Sequence, residues 1–283
     1  MSYRVVAHLQ EKAVSVSRAC RLLAVSRSGY YSHRQAQPSP KRVQEQTHVR
    51  AAFAASGRNY GSRRVMHALR AKGLCIGRYR VRKLMREMEL RTNWKRKFVS
   101  TTDSRHTLPV AQNVLDRRFA VTQPNRAWVS DITYIRTARG WLYLAVVLDL
   151  YSRKMVGWAM APTMPAALVV SALAQALQQR CPAPGLVLHS DRGSQYASDE
   201  YQALLKQNHV VCSMSRKGNC WDNSVMERFF LNLKMERVWQ RRYANHEEAR
   251  RDINQYIVGF YNTVRLHSTL GYLSPTAYEA QTQ

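Results

Sequence analysis

"RAWVSDITYIRTARGWLYLAVVLDLYSRKMVGWAMA", residues 126–161, reads as three strands in succession. Arg126–Arg136 alternates and is rich in β-branched and aromatic residues. Gly140–Ser152 is a near-continuous apolar run, the pattern of a strand buried on both faces. Lys154–Ala161 supplies the third strand, and Arg139–Gly140 and Ser152–Lys154 supply the turns, so the spacing predicts an antiparallel meander. Downstream the pattern changes to alternation. A helix over Ala166–Gln179, opened by Pro165, leads to a strand at Leu186–His189. A helix over Asp199–Gln207 then leads to a strand at Val210–Met214, and helices over Asp222–Trp239 and His246–Tyr261 follow. Three antiparallel strands followed by alternating helix and strand predict an α/β domain around a mixed sheet, residues 122–283 with its C-terminal helices.

Charge separates this part from the rest. Of a formal net charge of +26 over 283 residues, most lies in front: residues 1–120 hold 26 Lys and Arg against 6 Asp and Glu. So basic a segment implies a polyanionic partner, and phosphate contact with release of counterions makes that partner nucleic acid. An anionic membrane surface would call for a basic amphipathic helix with bulky apolar residues opposite, and none is evident. No apolar run approaches the length of a membrane span, and the N-terminus lacks the order of a signal peptide, so a cytoplasmic, nucleoid-associated protein is expected. The five cysteines are odd in number and scattered without a CxxC pair, which argues against a disulfide framework or zinc site.

The front half reads as small all-α units. "SVSRACRLLAVSRSGYYSHR", residues 15–34, has two short helices around a turn, with Ser26 as N-cap of the second. This gives a helix-turn-helix-like segment over 1–40, a shape that many helical hairpins share. "QPSPKR", 37–42, is a turn. A second basic helical unit covers 41–90, with Val65, Leu69, Val81, Leu84, Met85 and Met88 at helical period. Arg63, Arg64, Arg78, Arg82 and Lys83 decorate its outside with few carboxylates to balance them, which favours phosphate contact over a merely solvated face. Residues 91–121 read as a basic linker that orders on DNA, with Lys95, Arg96 and Lys97 in "NWKRKF" as backbone or single-strand contacts.

Three acids in the core stand out. Asp131 lies inside the first strand, Asp191 just past the fourth, and Glu227 flanks the apolar stripe of Met226, Phe229, Phe230 and Leu233 on a helix. Lys234, seven residues on, shares the face of Glu227. Three carboxylates brought together repel one another, and divalent metal makes the arrangement sensible: Mg²⁺ takes oxygen ligands and leaves positions for water and phosphate. The alternative is that these acids cap turns or pair with surface arginines.

"WVSDITYI" (128–135), "HSDRGSQY" (189–196), "SRKGNCWDNSVMERFFLNLKME" (215–236) and "FYNTVRLHSTLGYLSPTAYE" (260–279) resemble the retroviral-integrase-type core of the insertion-sequence-three family of bacterial transposases. The 35 residues between Asp191 and Glu227 match the spacing of this DDE class. "CRLLAVSRSGYY" (20–31) and "YGSRRVMHALRAKG" (60–73) resemble the front of that family's downstream-frame protein, OrfB. The resemblance implies a ribonuclease H-like fold and a transposase that cleaves DNA with water and then joins the freed 3′-OH to a second phosphodiester, by a copy-out and paste-in route through a circular intermediate. It implies Asp131, Asp191 and Glu227 as ligands of two Mg²⁺ ions per site, with Mn²⁺ able to substitute. It also implies Lys234 beside the scissile phosphate, and Arg265 and His267 as DNA-backbone contacts. The partners expected are double-stranded DNA as element ends and target, a second copy in a dimer or higher assembly, and the upstream-frame protein. Nothing in the chain resembles that upstream protein's leucine zipper.

Other residues carry two readings. Trp128 is core or a wall of the site. His189 sits beside the metal ligands or contacts water and DNA. Asn223 caps the helix of Glu227 or bonds to substrate. Two rival activities remain at this point: a non-catalytic DNA-binding regulator, and a metal-dependent nuclease without strand transfer.

Overall fold

The computed structural model describes residues 2–35, 39–93, 110–216 and 220–281. Lys95, Arg96 and Lys97 lie outside the described residues. Among the described residues, no helix is long and apolar enough to cross a membrane.

The chain opens with α1 (Ser2–Glu11), α2 (Val16–Leu22) and α3 (Arg27–Gln35), which bury Val6, Ala19, Cys20 and Tyr30 in a small core. Ser26 does cap α3: its Oγ accepts from Gly29 N at 3.2 Å. Next come α4 (Pro40–Ala55), α5 (Ser62–Arg70) and α6 (Arg78–Glu87), packed around Val49, Phe53, Val65, Leu69, Val81 and Leu84. The apolar stripe of α6 (Val81, Leu84, Met85) is buried. Its other side, Arg78, Tyr79, Arg82, Lys83 and Arg86, is exposed, with Tyr79 83% accessible.

The sheet has five strands in the order β3-β2-β1-β4-β5. β1 (Ala127–Thr137), β2 (Gly140–Asp149) and β3 (Met155–Ala161) form the antiparallel meander. After α7 (Ala166–Arg180), the chain crosses to β4 (Val187–Ser190), which pairs parallel with β1, and after α8 (Asp199–Gln207) to β5 (Val211–Met214), parallel to β4. Alternate residues of β1 and β2 feed opposite cores. Val129, Ile135, Val146 and Leu148 pack on the side of α9 (Ser224–Glu236) and α10 (His246–Gln255), whereas Trp128, Ala145 and Val147 pack on the side of α7 and α8. A mixed sheet of this order, covered by helices on both faces, is the ribonuclease H-like α/β arrangement expected.

Three boundaries differ from the sequence reading. The long helix over 222–239 is a 3₁₀ turn at Cys220–Asn223, then α9, then a second 3₁₀ turn at Val238–Gln240. α10 passes into a π-helical turn at Tyr256–Tyr261, which buries Tyr256, Ile257 and Tyr261 before α11 (Pro275–Glu279) ends the fold. Residues 110–121, expected as the end of a linker, pack onto the core instead. Leu115 is buried with Phe119 and Val121 against it, and the N–H groups of Val114 and Leu115 donate to Ser213 Oγ at 3.0 and 3.1 Å. Three spaced apolar residues sufficed for that docking, too few to register as a periodic pattern.

α7 lies close against β3 because Gly157 has no side chain. A Cβ there would meet the Ala172 carbonyl and approach Ala176 Cβ to 2.7 Å. Gly157→Ala is expected to destabilise the core by about 1–3 kcal/mol through overpacking. Calorimetry should show a melting point several degrees lower, and an unchanged one would mean that α7 can shift freely.

Candidate active site

The site starts from strand register. β1 and β4 are paired at Ala127–Val187, Trp128–Leu188 and Val129–His189, and the ladder ends there. Asp131 and Asp191 each lie two residues beyond the last rung, so the parallel strands carry the two carboxylates forward at the same level. On β1, Asp131 has the parity of Val129 and Ile135, the face that α9 covers. α9 is held there by Met226, Phe229, Phe230 and Leu233, with Glu227 on its first turn.

Each aspartate anchors an oxygen on backbone: Asp131 Oδ1 accepts from Ile132 N at 2.7 Å, and Asp191 Oδ1 from Gly193 N at 2.9 Å. Asp131 is held well above the ordinary carboxylate range by burial first, then by the negative charges of Asp191 and Glu227, against the pull of the Ile132 N–H and Lys234. Glu227 is raised by burial. Asp131 therefore lies in the field of the other two acids. The three do not close into a ready-made cage: among the described residues, no group of three or more His, Cys, Asp or Glu is placed to hold an ion unaided.

Lys234 lies over the ring of Tyr134, its Nζ 4.6 Å from the centroid, and Tyr134 meets Trp141 edge-on at 4.9 Å. Burial lowers its ammonium pKa, while Asp131 acts in the opposite sense. It is thus a half-buried cation that senses the acidic cluster, rather than a solvated surface lysine.

Behind the aspartates are Tyr196 and Asp222, which the sequence reading missed, and Asn223, for which it left two roles. Tyr196, inside the "HSDRGSQY" stretch, is buried, and its hydroxyl lies 3.2 Å from Ser130 Oγ. Burial and the charges of Asp131 and Asp191 push its phenol well above the usual range, so it stays a neutral hydroxyl beside both acids. Asn223 does not cap α9 through its side chain. It is buried, and its Nδ2 donates to the carbonyl of Ser130 at 3.3 Å, the residue before Asp131. Asp222 is fully buried; its carboxylate accepts from Arg216 N, Nε and Nη2 (3.0, 3.0 and 2.9 Å), Arg117 Nε (2.8 Å) and Asn113 Nδ2 (3.0 Å). The bonds from Arg216 hold it well below the usual carboxylate range. Only Asp222's neighbourhood in sequence to Glu227 could have marked it.

Several expected contacts fall elsewhere. His189 is buried between Ser213 Oγ (2.8 Å from Nδ1) and Ser215 Oγ (3.1 Å from Nε2), so it touches neither water nor DNA. Burial pushes its pKa down to about 4. Trp128 is core, donating from Nε1 to Asp149 Oδ2 at 3.3 Å. Arg265 and His267, expected as DNA contacts, are only 1% and 8% exposed. Arg265 binds Glu236, on the last turn of α9, through Nε (2.9 and 3.1 Å) and Nη2 (2.7 Å), and Tyr256 OH donates to the same carboxylate at 2.8 Å. A buried Glu236 demands this partner, which removes Arg265 from the surface. His267 is pushed down to about 2 by burial and by the charges of Arg265 and its neighbours. Arg64 is half-buried over Tyr60, 5.7 Å from its centroid, and Tyr60 OH accepts from Leu266 N at 2.9 Å. Tyr60 therefore joins the helical unit to the C-terminal segment, with Arg64 packed over its ring. Arg63, Arg78, Arg82 and Lys83 remain exposed.

The raised pKa of Asp131 has a defined consequence for stability. Between the unfolded and folded pKa values the native state binds more protons, so its stability falls as pH rises through that window. At neutral pH without divalent metal, Asp131→Asn removes the repelled charge. It is expected to melt at a higher temperature than the parent chain in chelator, with the difference vanishing near pH 4. Equal melting temperatures across the range would mean that Asp131 is not in the field of Asp191 and Glu227.

Comparison with known proteins agrees with this geometry. The integrase core domain family matches residues 121–220, a second integrase core domain model matches 208–275, and an HTH-like domain matches 40–98. The insertion element IS600 31 kDa protein of Shigella sonnei is 44% identical over 92% of this chain and 96% of its own. Transposase InsF for insertion sequence IS3A of Escherichia coli (strain K12) is 42% identical over 94% of both chains. Among solved structures, the HTLV-2 integrase catalytic core covers 55% of this chain and 97% of its own, at 18% identity and a TM-score of 0.44. With relatives of that identity along nearly its whole length, the chain belongs to the InsF family of insertion-sequence transposases.

Proposed function

We propose that the chain cleaves and joins DNA at the ends of its insertion sequence, with Asp131, Asp191 and Glu227 as the acidic site and divalent metal as cofactor. The observation that carries this is the level placement of Asp131 and Asp191 beyond the last β1–β4 rung, with the Glu227 helix on the same face. Transposase relatives and an integrase core along the chain support the same reading.

The donor set fits a hard cation. It is all carboxylate, and the charge on Asp131 is unfavourable until a cation offsets it. Asp131, Asp191 and Glu227 would hold Mg²⁺, two ions in this reading, with Mn²⁺ as substitute. Bound there, the metal would supply charge stabilisation at phosphorus and a more acidic water. The protein's part is positional. The Ile132 and Gly193 N–H groups fix the two aspartates, and the Tyr196 hydroxyl stays neutral behind them. Lys234, steadied on Tyr134, directs a point charge at DNA beside the scissile bond. In cleavage an oxygen–phosphorus bond forms to water and the bond to the 3′-oxygen breaks, which leaves as a 3′-OH. In joining, that 3′-OH forms the new phosphodiester while one target phosphodiester breaks. The number of phosphodiester bonds is conserved in joining, so no external energy source is needed.

DNA is held mainly by the helical front. The exposed face of α6 offers Arg78, Arg82, Lys83 and Arg86, with Tyr79 among them. Joining two ends requires at least two copies on DNA, and the upstream-frame protein is a further partner in this reading.

The deciding experiment incubates the protein with a labelled element end and Mg²⁺ and scores nicked and joined products. Asp131→Asn, Asp191→Asn and Glu227→Gln are each expected to lower both by about a thousandfold or more, a loss of roughly 4 kcal/mol of transition-state stabilisation, with DNA binding retained. Joining at parent rates by any one variant would remove that residue from the site. Binding without nicks or joints by the parent chain would favour a regulator, and nicks alone a nuclease.

A second measurement addresses α6. Arg82→Ala with Lys83→Ala is expected to lower the slope of log affinity against log salt by about 2, since each phosphate contact contributes about 0.9. An unchanged slope would place the DNA on another face.

A further inference from the structure

The 3₁₀ turn that leads into α9 has a buried half and an exposed half. Asp222 and Asn223 are buried, yet Trp221 beside them is 68% exposed, the most accessible described tryptophan. An indole in water is an ordinary surface residue when its support is loose. Here the support is fixed. Asp222 is clasped by Arg216, Arg117 and Asn113, and Asn223 is tied to the Ser130 carbonyl.

The turn is also fixed relative to both aspartates. At the end of β5, Ser215 N donates to the Ser190 carbonyl at 2.9 Å, next to Asp191. At the other end, Asn223 holds Ser130, next to Asp131. Trp221 thus lies in the connection from β5 to α9, which is hydrogen-bonded to the residues preceding both aspartates, and Glu227 follows six residues later. Arg216 and Arg117, half-exposed, are spent on Asp222, and Arg216 also reaches Asp116 at 3.4 Å, so this ion-pair cluster fixes the turn and leaves the indole as its exposed contact group.

We propose that Trp221 contacts the DNA substrate, stacking its indole on an unpaired base next to the phosphodiester under attack. This rests on the catalytic reading above. A base inside a duplex has both faces covered by its neighbours, so an indole can stack only on one freed at an end or a frayed step. Stacking is indifferent to base identity because every base has a π-face. Trp221 therefore contributes affinity and placement of the end, not sequence selection.

The test crosses two deletions. Trp221→Ala and Trp221→Phe are compared with the parent chain on the terminal duplex of the encoding element, intact or abasic at each of the three nucleotides flanking the cleavage point. Binding is read by anisotropy in chelator and joining by product formation in Mg²⁺. Trp221→Ala is expected to raise the DNA concentration for half-maximal binding and joining by about tenfold to a hundredfold, with Trp221→Phe close to the parent. One abasic position should weaken the parent by a similar factor and leave Trp221→Ala unaffected. Parent-like behaviour of Trp221→Ala, or equal abasic effects in both proteins, would overturn the proposal. So would a Trp221→Ala protein that binds DNA normally but changes its sedimentation, which would assign the indole to a second copy. The anisotropy arm reads the indole without turnover, so a parent chain that never nicks DNA would overturn the catalytic reading alone.

Discussion

Repulsion among Asp131, Asp191 and Glu227 is the constraint around which the catalytic half is organised. Burial disfavours the charged form of Asp131 and of Glu227, and the other two acids disfavour it further at Asp131. The fold meets that cost with rigid elements. Parallel pairing of β1 with β4 fixes the level of the two aspartates, and the apolar stripe of α9 presses the Glu227 helix onto the same face. The energy for this comes from the apolar faces of a sheet covered on both sides.

A second constraint links the two halves of the chain. Glu236, at the far end of the helix that begins near Glu227, is buried and must be neutralised. Arg265 does this, and the backbone of the next residue, Leu266, donates to Tyr60 of the helical unit. His67 stacks on Tyr272 at 3.7 Å, a second contact between the same two parts of the chain. The basic helices that favour DNA are thereby tied, through one ion pair, one hydrogen bond and one ring stack, to the helix that bears Glu227 and Lys234. Loss of either Arg265 or Glu236 would leave an uncompensated buried charge at this junction.

The strand pattern of 126–161, the helices after it and the excess of positive charge in front were legible because each is local. Alternation, turn residues and composition need only neighbours in sequence. The DDE spacing was legible in a different way, as a resemblance, since spacing alone left turn-capping acids as an equal alternative. Arg265 and His267 were misread for a physical reason: a basic residue near a motif looks the same whether it meets phosphate or a buried carboxylate. Glu236, the residue that decides between these, lies about thirty positions away.

From the sequence by itself came the succession of elements, the mixed sheet and the polyanion preference of the front, all properties carried by period and composition, while the choice of Asp131, Asp191 and Glu227 as candidates came from resemblance to a family. Tertiary structure alone decided the level of Asp131 with Asp191, the neutral Tyr196 behind them, the burial of Arg265 and His267, the docking of 110–121 and the fixed mount of Trp221. Each of these depends on which distant residues become neighbours. That is settled by strand register and by the need of every buried charge for a partner, and neither is a property of any short stretch of chain.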